Sequence, residues 1–289
     1  MLLESGDETK LKEMVESGRW WFEIKRDGCR ANISTETVEG TGNKRGYRII
    51  GRSGEDLSSK FPELATLAKS LPKESCITGE IFVFANAADK SKPTTSSRTN
   101  SHDSERRAKL APATFIGFDV TVIGGLLVAS LPIEQRRDIL NRLPRCENLE
   151  VVQFLKDPLA EWERIKRDGD EGLVAKLKGA PYVFKRSDMW LKLKAWRQDQ
   201  FNITGYTSEK REISALALEG GFKVNFGVRG ELYAHYLKAF KKTGKTFKLN
   251  DKSTAFEIEP GFTAEVRYLH RSDSGIRFPV IGKIDEVKT

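Results

Sequence analysis

Cysteine is scarce: Cys29, Cys76 and Cys146 are the three in 289 residues, far apart and odd in number. That excludes a disulfide framework and a four-cysteine zinc site. No run approaches the roughly 18 apolar residues of a membrane span. The N-terminus, Met1-Leu2-Leu3-Glu4, turns acidic at once and lacks the basic start and apolar stretch of a secretory signal. Neither an internal repeat nor an arginine-rich tail is visible. The chain is therefore expected to be cytoplasmic, in a bacterial cytosol or an infected host cell, with no membrane partner and no secretion.

What is present suits a folded protein. At 38% hydrophobic and 31% charged residues the chain can bury a core, and its length suggests two modest domains. Forty-nine Lys plus Arg against 41 Asp plus Glu leave a net charge of +8. The excess is spread out: 34 basic and 29 acidic residues over 1–197, and 15 and 12 over 198–289. Such a balance favours a polyanionic partner, because each neutralised phosphate releases counterions.

Periodicity predicts helices over Glu8–Ser17, Phe61–Ser70, Pro132–Leu143, Pro158–Lys166 and Leu232–Lys241. Alternation predicts strands at Trp20–Lys25, Cys29–Ile33, Tyr47–Arg52, Cys76–Phe84, Phe115–Ile123, Gly172–Lys176 and Trp190–Lys194. Residues 86–109 are polar and rich in Ser and Thr, which reads as a mobile loop. After Trp196 about five short strands suit a small Greek-key barrel. The boundary is expected at Arg197-Gln198-Asp199.

One pentapeptide occurs twice, as Ile24-Lys25-Arg26-Asp27-Gly28 and as Ile165-Lys166-Arg167-Asp168-Gly169. The first joins two apolar strands, so Lys25 can point into a cleft. The second closes a charged helix and reads as a solvated C-terminus stopped by glycine. Gly244-Lys245-Thr246 is a near miss to a phosphate loop, since position 239 is alanine and the run follows a helix.

Further motifs follow Glu23-Ile24-Lys25-Arg26-Asp27-Gly28-Cys29-Arg30 in a fixed order: Arg52-Ser53-Gly54, Gly79-Glu80, Phe118-Asp119, Glu171-Gly172-Leu173-Val174-Ala175-Lys176 and Trp190-Leu191-Lys192-Leu193-Lys194. Over residues 23–194 this resembles the covalent nucleotidyltransferases, namely DNA ligases, RNA ligases and mRNA capping enzymes. The tail Arg277-Phe278-Pro279 resembles the stretch that closes the ligase barrel. The compact length is most similar to small ATP-dependent DNA ligases of the phage and viral type. Thr78 departs from the aspartate that many members carry before Gly-Glu, and Lys283-Ile284-Asp285-Glu286 only loosely matches the family's last motif.

The resemblance implies an α+β protein: an antiparallel-sheet nucleotidyltransferase domain over 1–197, ATP-grasp-like and adenylylating, then an OB-fold β-barrel over 198–289. It implies an ATP-dependent DNA ligase that forms a lysyl-AMP at Lys25 and seals nicked double-stranded DNA as a monomer closing around it. An RNA ligase, a capping guanylyltransferase, or a non-catalytic nucleic-acid-binding module on the same scaffold are the alternatives. Glu23 would read the adenine edge, Glu80 would accept from the ribose hydroxyls, and Phe118 would stack on the base, with Phe115 as its alternative. Lys176 joins the nucleotide-binding set. Glu171 and Asp27 would hold Mg²⁺, or Mn²⁺ in its place. Arg30, Arg52 and Arg186 would hold nucleotide and nick phosphates, with Lys90, Lys92 and Arg98 of the polar segment reaching the DNA.

The chemistry asks for help from cations. A free lysine amine, with a pKa near ~10.4, is neutral in about one molecule per thousand near neutral pH. Neighbouring positive charge favours the neutral amine. Lys192 and Lys194, spaced i and i+2, share one strand face and are expected to supply it.

Overall fold

The computed structural model describes residues 1–36, 46–86, 89–94, 104–209, 212–226, 238–272 and 275–287. Two compact units divide the chain: Met1–Arg164 with Glu171–Leu193, and Ile165–Asp170 with Lys194–Thr289. Along the sequence the division falls a few residues before the Arg197–Asp199 segment.

The elements open with β1 (Leu2–Ser5), α1 (Leu11–Glu16), β2 (Trp20–Ile24), β3 (Cys29–Thr35) and β4 (Tyr47–Gly51). Next come α2 (Ala65–Ser70), β5 (Cys76–Asn86), β6 (Asp89–Thr94), α3 (Ser104–Leu110), β7 (Ala113–Ile123) and β8 (Leu126–Leu127). Then follow α4 (Ile133–Asn141), β9 (Leu149–Val151), α5 (Pro158–Asp168), β10 (Gly172–Leu177) and β11 (Arg186–Lys194). Two sheets result. One runs β1-β11-β10-β2; the other runs β4-β3-β5-β7-β8, with β6 on β5 and β9 on β7.

The period of two in the second sheet separates its two jobs. Ala31, Ile33, Ile77, Ile81, Ala113 and Phe115 turn to one face and join Leu64, Leu67 and Leu140 in the core. Residues of opposite parity, Arg30, Glu80 and Ile116, lie in register across β3, β5 and β7. That leaves a row of two charges and one apolar group on the face away from the core. On the core face Gly79, in register with Ala31 and Gly117, has no room for a side chain, because a Cβ there would stand 2.5 Å from the Phe115 ring and 2.6 Å from the Ile116 carbonyl. Beside it, the Thr78 hydroxyl donates to Asn32 Oδ1 at 2.9 Å, so the departure from aspartate at this position is a satisfied polar pair.

The reading of residues 86–109 as a loop is corrected where the structure describes them. Residues 89–94 are β6, antiparallel to β5, and residues 104–110 are α3. The signal was absent because β6 gains its order from backbone bonds to β5, which polar side chains do not advertise. Arg98 lies outside the described residues. The duplicated pentapeptide separates as its contexts require: Lys166 is exposed on the last turn of α5, and Gly169 follows at φ +79 with its N–H on the Ile165 carbonyl.

The second unit contains β12 (Arg197–Glu209), β13 (Glu212–Leu218), β14 (Phe222–Asn225), β15 (Lys242–Lys248), β16 (Thr254–Ile258), β17 (Phe262–Tyr268), β18 (His270–Ser272), β19 (Gly275–Arg277) and β20 (Val280–Glu286). That is more strands than the five expected. The key element is the long β12. Its first half, Arg197–Asn202, pairs with β17, and its second half pairs with β13 and β16. One strand therefore serves two sheet segments and curls them around Phe201, Tyr206, Leu216, Val224, Ala264 and Ile284, the core of an OB-fold. Of the helix expected over 232–241, residues 232–237 lie outside the described residues.

Candidate functional site

The site grows from the antiparallel pairing of β2 with β10. Glu23 faces Val174 and Ile24 faces Leu173, and the Lys25 N–H then donates to the Gly172 carbonyl at 2.9 Å. This register brings residue 171 beside residue 25, although 146 positions separate them in sequence. Lys25 Nζ lies 2.7 Å from Glu171 Oε2, with the side chains 18% and 8% exposed. The turn after Lys25 packs against β5, and Gly28 is obligatory there: a Cβ would meet the Ile81 carbonyl at 2.4 Å. Its N–H donates to Glu80 Oε1 at 3.2 Å.

Lys25 opens onto a cleft inside the first unit. Lys25, Arg30 and Glu80 form its polar part, while Ile116, Phe118, Val174 and Trp190 supply apolar walls. At its inner end Glu23 is buried, and both its carboxylate oxygens accept from Lys176 Nζ, at 2.9 and 2.8 Å. Arg137 Nη2 donates to the same carboxylate. Lys176 stands 4.1 Å from the Trp190 ring centre and 5.0 Å from that of Phe118. Burial holds the Lys176 amine down to about 8, and the Glu23 carboxylate opposes that effect. The Trp190 indole N–H is buried and unpaired. An apolar slot with charged groups at both ends can hold a flat, polar-edged ring attached to a polyanion.

Burial also pushes the Glu80 carboxyl up, from its ordinary 4.5 to about 7; Glu171 adds to the rise, and Lys25 and the Gly28 N–H oppose it. Between these two values the native state holds more protons than the unfolded chain, so stability falls as pH rises from 4.5 through about 7. Glu80→Gln removes that loss. The variant should match the parent near pH ~4 and exceed it by about 3 kcal/mol at pH ~8, read by urea denaturation. A difference independent of pH would contradict the assignment.

The other residues singled out from the sequence fall in several places. Phe118 lines the cleft, whereas Phe115 is wholly buried in the core. Arg30 lines the cleft with its guanidinium 5.9 Å from the Phe118 ring centre, and donates to the Met1 carbonyl and to Tyr182 Oη. Arg52 is exposed in the turn after β4, and Asp27 is half-buried in the turn after Lys25. Arg186 donates to the Leu3 carbonyl and lies 3.8 Å from Glu4. Lys192 is half-buried on β11, in register with Ser5 of β1, and is not among the described cleft residues. Lys194 belongs to the second unit, where it stands over Trp196 and Phe278. Lys90 and Lys92 are on β6.

Sequence reading missed two residues, Arg136 and Arg137. Arg136 makes a bidentate pair with Asp119 at 2.7 and 3.0 Å, both side chains almost fully buried. Asp119, the acid of the Phe-Asp motif, is thus bound to α4. The missed signal is one of spacing: Ile133, Arg136, Arg137 and Leu140 fall at i, i+3, i+4 and i+7, the buried face of α4. Two arginines on an apolar face call for buried anionic or carbonyl partners. No group of three or more His, Cys, Asp or Glu side chains that could hold a metal is found among the described residues. No helix of those residues is long and apolar enough to cross a membrane.

Known proteins resemble this chain in sequence and in fold. The family model of the ATP dependent DNA ligase domain matches residues 1–194. The bifunctional non-homologous end joining protein LigD of Bacillus subtilis is 28% identical over 279 residues, covering 86% of this chain and 44% of LigD. The multifunctional LigD of Pseudomonas aeruginosa is 27% identical over 216 residues, covering 72% of this chain and 24% of its own. The SPbeta prophage-derived DNA ligase-like protein LigB of Bacillus subtilis is 29% identical over 219 residues, covering 75% of this chain and 73% of LigB. The chain thus spans less than half the length of the two LigD proteins. In three dimensions it resembles a mycobacterial DNA ligase D complexed with ATP and MES, at TM-score 0.56 and 22% identity over 100% of this chain and 95% of that one. A Lig E DNA ligase gives TM-score 0.58 at 18% identity, over 92% and 93% of the two chains. These two likenesses establish the shared fold. With the family model spanning two thirds of its length, the chain belongs to the ATP-dependent DNA ligase family.

Proposed function

We propose that this chain seals nicks in duplex DNA at the expense of ATP. The observation that carries the proposal is the Lys25 amine, 2.7 Å from Glu171 at the mouth of a cleft walled by Phe118 and Trp190. The adenine enters the apolar slot, its edge toward Glu23 and its ring against Phe118. Glu80 faces the ribose. The Lys25 amine, once its proton has left, attacks the α-phosphorus; a P–N bond forms, the P–O bond to pyrophosphate breaks, and pyrophosphate leaves. Arg30 holds nucleotide phosphate, as a fixed donor fork suits. The 5′-phosphate of the nick then takes the AMP from Lys25. Last, the 3′-hydroxyl attacks that phosphate and AMP is released.

Oxygen donors beside the attacking amine suit a hard cation such as Mg²⁺, which keeps waters and shares phosphate ligands. Glu171 offers such a carboxylate, and Asp27 in the adjacent turn is the second candidate. When bound, the metal would neutralise phosphate charge. The second unit grips the duplex on the far side of the break. Arg52, Arg186, Lys90, Lys92 and Arg98 contact DNA phosphates, and Lys192 and Lys194 complete the cationic set. The protein works as a monomer in the cytoplasm.

A 5′-labelled nicked duplex, incubated with the protein, ATP and Mg²⁺ and run on a denaturing gel, tests this reading. A joined strand that appears with ATP and not without it is expected. Tight binding of the nick with no joining under any nucleotide would favour the non-catalytic alternative.

A further inference from the structure

The residues that read the base do not hold themselves in place. Glu23 sits on β2 and Phe118 on β7, in different sheets of the first unit. Arg137 of α4 bonds both: its Nη2 donates to the Glu23 carboxylate and, at 3.0 Å, to the Phe118 carbonyl, while its Nη1 donates to the Val152 carbonyl. The guanidinium lies 4.6 Å from the Phe154 ring centre, and Phe154 in turn stacks on Trp21 of β2 at 4.7 Å. Arg137 itself is 5% exposed, and its Nε has no partner. A buried cation that leaves one donor unsatisfied is costly for stability alone. Its neighbour Arg136, equally buried, bonds Asp119 and the Leu131 and Ala180 carbonyls instead.

We infer that Arg137 is a positioning residue for nucleobase selection, fixing the Glu23 carboxylate and the Phe118 backbone in one geometry across the two sheets. This rests on the proposed adenylylation at Lys25. The planar fork suits the role: its donors, held in fixed directions, reach three acceptors on three segments at once, whereas an ammonium has no fixed fork to orient them. Lys176, on β10 beside β2, also bonds Glu23 and donates to the Phe118 carbonyl at 3.2 Å, so it too links the two sheets. Arg137 does so from α4, a third element, and adds the Val152 carbonyl. Its bonds go to neither Lys25 nor Glu171, so loosening it misplaces the base and leaves the reacting amine as it was.

The test measures lysyl-nucleotide formation on the full chain with labelled ATP and with labelled GTP, in the parent, Arg137→Lys, Arg137→Gln and Arg136→Lys. Each is assayed below its own melting temperature. Both Arg137 variants should raise KM for ATP about tenfold and erode the preference for ATP over GTP, while the rate at saturating ATP stays within about twofold. Arg136→Lys should lower the melting temperature and leave KM and preference unchanged. The inference is overturned if the Arg137 variants keep the parent's KM and preference. It is equally overturned if all variants lose rate in proportion to lost thermal stability, which is the mark of a purely structural arginine. A parent that forms no adduct with either nucleotide would instead sink the adenylylation reading, and this inference with it.

Discussion

Lys25→Ala should abolish nick sealing, a loss of at least ~10⁴-fold, while Lys166→Ala stays within about twofold of the parent. The two lysines share their pentapeptide but not its flanking sequence, which sets Lys25 between two apolar strands and Lys166 at the end of a charged helix. Their surroundings in the structure differ in the same way. Lys25 follows a strand, has its amide on the Gly172 carbonyl, and carries an 18% exposed side chain against Glu171 in the cleft wall. Lys166 is exposed on the final helical turn of α5. Sealing of pre-adenylylated nicks separates the steps. Lys25→Ala should retain part of that activity, since the last transfer needs no lysyl-AMP. Sealing from ATP that persists in Lys25→Ala would place the nucleophile elsewhere.

Arg136→Ala should cost about 3–5 kcal/mol, the largest stability loss expected of a single polar side chain here, because it strands the buried Asp119 carboxylate. The Arg136–Asp119 pair is bidentate with both side chains at most 1% exposed, and Arg136 also satisfies the Ala180 carbonyl at 3.0 Å. Asp119→Ala should be comparably damaging, since it strands the guanidinium. The double variant should cost clearly less than the sum, as neither charge is then left alone. Urea denaturation of the four proteins measures this. A loss below ~1 kcal/mol for Arg136→Ala would mean that Asp119 finds water or another cation, against the burial seen here.

The two arginines also show where sequence reading stops. The helix over 132–143 was legible from its apolar spacing, and so was the Phe-Asp motif on β7. That Arg136 and Asp119 meet depends on packing α4 against β7, a contact that no local pattern encodes. The same holds for Lys25 and Glu171, each visible as a motif member but joined through the β2–β10 register. Alternating strands such as Cys76–Phe84 were readable because one face is core and the other is cleft. β6 was not, because its side chains are polar and its order comes from the neighbouring strand's backbone. In the second unit the barrel type was legible from short apolar runs, yet β12 was underestimated: its outer residues Gln198, Asp199 and Gln200 are exposed and polar, and so hide a continuous strand.

The central claim, that Lys25 becomes adenylylated, is tested most directly by intact mass of the protein after incubation with ATP and Mg²⁺, followed by peptide mapping. The account predicts a gain of one AMP, located on Lys25 and discharged on adding nicked duplex DNA. No mass gain, or AMP found on another residue such as Lys166 or Lys176, would contradict it.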